Sequence, residues 1–154
     1  MRKPRLLMLD NLLTPLNQGI CKYENLEKDL HDAKSTNHIY GIFILGFSEF
    51  EYSMRITLEY FLKHFPDKLK LADRNVMLED ELIIQPNYLR NIIDQYLSSL
   101  LYSNIEDYMI KVCNILCIEI VDENIIKELN EKSATRNILI HNNLLTNIKY
   151  LEKS

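Results

Sequence analysis

Seven large apolar residues, Phe43, Phe47, Phe50, Met54, Leu58, Phe61 and Phe65, recur at spacings of 4, 3, 4, 4, 3 and 4. That is one continuous stripe at helical period, and it predicts a helix from about Asn37 to His64. Ser35, Thr36 and Asn37 supply turn and N-cap chemistry before it. Pro66 ends it, because proline lacks the N–H and biases its predecessor away from helix. A helix of this length with one apolar face has to be covered by other elements.

The flanking sequence offers helices to do the covering. A first helix is expected from about Leu16 to Ala33, after an irregular N-terminal segment over about 1–15 that holds Pro4 and Pro15. The charged stretch Asp67–Gln85 reads as a connection with one short helix, Leu78–Ile84. Pro86 suits the first turn of the next helix, which carries Leu89, Ile92, Ile93, Tyr96, Leu97 and Leu100. Asn104 can cap another over about Ile105–Ile118, and Asp122 one from Glu123 through His141. The final stretch is Leu144–Leu151. No segment alternates at period two for long, and only three glycines and four prolines interrupt the chain. The expected fold is therefore an all-α bundle of four to five main helices in a single domain, 1–154.

Net charge is −4, so the broad basic face that neutralises many phosphates is missing. A nucleic-acid contact would have to be a local cationic site. The cysteines, Cys21, Cys113 and Cys117, are sparse and odd in number, which fits a reducing compartment. Asp10 and Asn11 interrupt the early apolar run too soon for a secretory segment, and the longest apolar run, near Ile39–Phe47, is too short for a membrane span. These features point to a soluble, cytoplasmic protein without a membrane partner.

Chemistry concentrates in Ser133-Ala134-Thr135-Arg136-Asn137-Ile138-Leu139-Ile140-His141-Asn142-Asn143. On a helix, Asn137 and His141 are four apart and share a face. Arg136 is one position round, with a stem long enough to swing to the same spot. Arginine offers a permanent cationic fork shaped for phosphate, histidine moves protons near neutrality, and asparagine can orient the ring or a ribose hydroxyl. The bland reading stands beside this one. His141 shares its side of the helix with Leu144, Leu145 and Ile148 and could be a hydrogen-bonded interface residue, and Arg136 could pair with Glu128 or Glu131.

The word Arg136-Asn137-x-x-x-His141 resembles the signature of the HEPN superfamily, an arginine followed by a polar residue and a nearby histidine. Leu129-Asn130-Glu131 before it, and His141-Asn142-Asn143 followed by Tyr150-Leu151, are similar to the motif helix of HEPN proteins in bacterial defence systems. The resemblance covers about Asn124–Leu151 and, more loosely, Ile39–Pro66, where the family has a long helix with an acidic residue near the site. It implies a metal-independent endoribonuclease of toxin or anti-phage type, with no cofactor. Arg136 would stabilise transition-state charge, His141 would act as general acid or base, and Asn137 would position substrate or histidine. The ribose 2′-hydroxyl would be the nucleophile, and Asn142 and Asn143 would contact RNA. The family pairs two copies of this helix across a two-fold axis, so a homodimer is implied, together with an antitoxin or defence-system partner protein. Two positions depart from the pattern. Asn143 stands where many toxins paired with a nucleotidyltransferase antitoxin carry a modified tyrosine, and Leu144 stands where related sequences often have glycine.

Glu51 is the candidate acidic partner. With Phe43 as zero and about 100° per residue, Glu51 falls near 80°, at the border of the stripe, and Glu49 near 240°, on the far side. An ordinary i,i+4 ion pair of Glu51 with Arg55 is the alternative. Cys113 and Cys117 are also four apart, but no second cysteine or histidine pair is placed to complete a zinc site, and core packing with Met109, Val112, Ile115 and Leu116 is the better reading. Two rivals to the ribonuclease remain: a catalytically inactive HEPN-like module that binds a partner or ligand, and a helical adaptor in which Arg136 and His141 are structural.

Overall fold

The computed structural model describes residues 5–72, 86–119 and 122–141. Six α-helices and no strand lie among them: α1 (Arg5–His31), α2 (Thr36–His64), α3 (Asp67–Ala72), α4 (Pro86–Leu100), α5 (Ile105–Leu116) and α6 (Glu123–His141). The fold class is all-α, as the apolar periodicity implies. No helix among the described residues is long and apolar enough to cross a membrane. The short helix expected over Leu78–Ile84 and the final stretch Leu144–Leu151 lie outside the described residues.

The N-terminus corrects the expectation of an irregular segment up to residue 15. α1 already starts at Arg5 and keeps Pro15 inside it. Leu6, Leu7, Leu9, Leu12 and Leu13 are strong helix formers, and they carry the helix past the N–H that Pro15 cannot donate. The Thr14 hydroxyl donates to the Asp10 carbonyl at 2.8 Å in the turn that the proline disturbs.

The helices form two compact units, Met1–Met54 with Glu123–Ser154 and Arg55–Asp122, and α2 runs through both. In the first, α1 and α2 make an antiparallel hairpin. Tyr23 Oη donates to the Gly46 carbonyl at 2.5 Å, Lys22 meets Glu49 at 2.7 Å, and Gly19 lies opposite Ser53. A Cβ added at Gly19 would sit 2.5 Å from Ser53 Oγ and 3.2 Å from its Cβ. The absence of a side chain there sets how closely the two helices approach.

In the second unit, Leu58, Leu62, Leu69, Ile93, Leu100, Val112 and Ile115 are fully buried. α3 packs against α5. Asn104 caps α5 by accepting from the Asp107 N–H at 2.8 Å, which meets one of the orphan donors of the first turn. The helix closes on Cys117 in the left-handed region (φ 54°), a little before the expected Ile118.

Candidate functional site

α6 carries Arg136 through His141 in one helix that starts just after Asp122, with Glu123 in the first turn where a carboxylate favours the helix dipole. Arg136 and Asn137 sit in its C-terminal half and His141 is its last residue. Asn142 and Asn143 lie outside the described residues. Within the helix, Glu128 pairs with Lys132 at 3.4 Å and the Thr135 hydroxyl donates to the Glu131 carbonyl. Neither Glu128 nor Glu131 is the partner of Arg136 in these contacts.

Arg136 turns instead toward α2. Its Nη2 donates to Glu51 Oε1 at 2.5 Å, and its guanidinium carbon lies 4.9 Å from the centre of the Phe47 ring. Phe47 and Glu51 are four apart on α2, so one helix face supplies a π surface beneath the cation and a carboxylate at its edge. The pair is only partly covered, with side-chain exposures of 25% for Arg136 and 31% for Glu51. Glu51 uses one end of a fork with five N–H donors. The remaining donors can take an anionic oxygen arriving from solvent.

The alternative pairing of Glu51 with Arg55 does not form. Arg55 Nη2 reaches Asp94 on α4 at 3.4 Å. Glu49, on the other side of α2, meets Lys22 of α1. Glu51 and Glu49 therefore serve different neighbouring helices, α6 and α1.

The structure brings Arg136 and Glu51 together and leaves Asn137 exposed. At about 100° per residue, positions 137 and 141 are roughly 40° apart around α6, whereas 136 and 141 are roughly 140° apart. The swing expected to bring Arg136 beside Asn137 and His141 is not the one taken. Phe47 and Glu51 draw the arginine to the α2 side of the helix.

Phe47 is the residue that sequence reasoning missed as part of the site. It reads as core, and it is buried, but one of its faces carries the guanidinium. The available signal was an aromatic and a carboxylate at i and i+4. Beside it lies a groove of about 440 Å³ between α1, α2 and α6, lined by Tyr23, Leu26, Phe43, Phe47, Phe50 and Leu129, with Glu27 and Lys132 also on its walls. Burial, helped by the neighbouring Glu49 carboxylate, pushes the Tyr23 phenol above its usual value near 10.0.

Elsewhere, Cys113 is half-buried and Cys117 is exposed, with Lys68 Nζ 2.8 Å from the Cys117 sulfur. No group of three or more His, Cys, Asp or Glu side chains among the described residues is arranged to hold a metal ion. Compared with known proteins, the chain matches no family model, no curated protein and no solved structure.

Proposed function

We propose that the protein is a HEPN-type endoribonuclease that needs no metal and acts as a homodimer on RNA, with Arg136, Asn137 and His141 as its working residues. The observation that carries the reading is the setting of Arg136. A loose surface arginine would be solvated and mobile, but this one is seated on Phe47 and tethered by Glu51 with part of its fork open. Such pre-organisation is what electrostatic stabilisation of a transition state requires.

In the reaction, the ribose 2′-oxygen attacks the adjacent phosphorus as a general base takes its proton. The P–O5′ bond breaks as a general acid protonates the leaving 5′-oxygen. A 2′,3′-cyclic phosphate and a 5′-hydroxyl result. Two His141 residues, one from each protomer, would share the acid and base roles. Arg136 would stabilise the extra negative charge on the non-bridging oxygens, and Asn137 would orient ribose or ring. Glu51 is a positioning residue in this scheme, since it acts through the guanidinium.

The same ion pair favours a second reading, an inactive HEPN-like module for partner or ligand binding, because a structural arginine would be paired in this way too. Purified wild-type protein, His141→Ala and Arg136→Ala should be incubated with RNA with and without EDTA. Their melting temperatures should be taken alongside. The ribonuclease reading expects chelator-resistant cleavage to 2′,3′-cyclic ends that falls about 10²-fold or more in each variant while the fold is kept. Wild-type protein without activity as a dimer, or activity lost on chelation and restored by magnesium, would overturn it.

A further inference from the structure

We infer that the groove between α1, α2 and α6 is a nucleobase subsite, serving the Arg136 site with a base of the same RNA strand; the inference rests on the ribonuclease reading of that site. Its space, about 440 Å³, lies within the range of about 300–1,000 Å³ typical of small-ligand sites and suits one mononucleotide unit. Four aromatic side chains, Tyr23, Phe43, Phe47 and Phe50, contribute to its walls. The Phe47 and Phe50 rings are 6.0 Å apart and tilted by 56°, so they do not stack flat on each other. Flat aromatic walls favour a flat π system, and base–aromatic stacking is the general means of holding single-stranded RNA without a basic face. That matches a chain with a net charge of −4.

Charge fixes which way round the nucleotide would sit. The α6 wall carries Lys132, and Arg136 follows it four residues on along the same face. The α1 wall carries Glu27. A phosphate would therefore go to the α6 side and be repelled from the α1 side. Phe47 connects the two halves: it lines the groove and also lies under the Arg136 guanidinium. One ring separates the place for a base from the place for its phosphate. The Lys132 pairing with Glu128 is loose, at 3.4 Å between well-exposed side chains, so a phosphate can compete with Glu128 for Lys132.

The test is binding of AMP, adenosine and ribose 5-phosphate to the full chain, followed by calorimetry and by NMR shifts of groove side chains. AMP should bind about ten-fold or more tightly than ribose 5-phosphate, the gain coming from the base, and adenosine should perturb the same groove signals. Leu129→Trp, which fills the groove from α6, should abolish the advantage of AMP and leave ribose 5-phosphate unchanged. Lys132→Glu, an exposed change that spares the fold, should weaken both phosphate ligands. Equal affinity for AMP and ribose 5-phosphate would overturn the subsite. So would a groove that takes an apolar dye or an aliphatic peptide which AMP does not displace. If base-dependent binding is found without RNA cleavage, the subsite stands and the ribonuclease reading falls. Cleavage with base-independent binding gives the reverse.

Discussion

On the proposed ribonuclease reading, removing Arg136 should cost much more in activity than in stability, and the contact geometry sets the size of the stability loss. The Arg136–Glu51 hydrogen bond is short, at 2.5 Å, but its partners are about one quarter and one third exposed. Exposed ion pairs give about 0–1 kcal/mol, and hydrogen bonds to charged groups about 1.5–3 kcal/mol when well covered. A partly covered pair falls between them, at about 1 kcal/mol. Stacking on Phe47 adds roughly 0.5–1 kcal/mol, and only Arg136 loses it. Arg136→Ala should thus destabilise by about 1.5–2 kcal/mol, Glu51→Ala by about 1 kcal/mol, and the double variant by little more than Arg136→Ala alone. A double-mutant cycle by urea denaturation should return a coupling energy near 1 kcal/mol. Cleavage by Arg136→Ala should fall by about 10²- to 10³-fold, the usual loss for one charge-stabilising donor. Glu51→Gln, which keeps a side-chain acceptor, should lose less than Glu51→Ala. A coupling energy indistinguishable from zero would refute the contact. A stability loss above about 4 kcal/mol for Arg136→Ala, with activity falling only in step with unfolding, would make the arginine a structural residue and refute the reasoning.

Three further outcomes follow from residues of α1 and α2. The Tyr23 phenol is raised by burial and by Glu49, so between its unfolded value near 10 and its higher folded value the unfolded chain binds fewer protons than the native one; stability should be level below about pH 10 and fall above it. In Tyr23→Phe that alkaline fall should shrink, as read by melting temperature against pH, at the cost of the bond to the Gly46 carbonyl. Gly41→Ala meets nothing within 4 Å and should stabilise by about 0.5–1 kcal/mol through helix propensity. Gly19→Ala, although it gains the same propensity, should be net destabilising because its Cβ meets Ser53, and a raised melting temperature for it would show that the hairpin can open.

Local sequence was enough for those features that depend on neighbours along the chain. The 3.6-residue stripe, the stop at Pro66, the cap at Asn104 and the continuous helix through Arg136 are written in residues a turn or two apart, and α2, α4, α5 and α6 follow them closely. Pro15 misled, because the penalty of one proline is local whereas the helix-forming tendency of the leucines around it adds up over several turns. The stripe itself was legible only in part. Phe47 and Leu58 are buried as expected, but so are Ser53 and Thr57, and Phe65 is left largely exposed. Ser53 lies against Gly19 of α1, a covering that a one-face pattern on α2 cannot flag. Tertiary structure alone decided the site's geometry. Sequence offered Arg136 two carboxylates on its own helix, Glu128 and Glu131, and marked Glu51 only as an acidic residue near the site. The choice went to Glu51, 85 positions away, because α2 presents that carboxylate together with the Phe47 ring. A cation gains from both at once only where two helices meet, and that meeting is a property of packing rather than of any stretch of sequence.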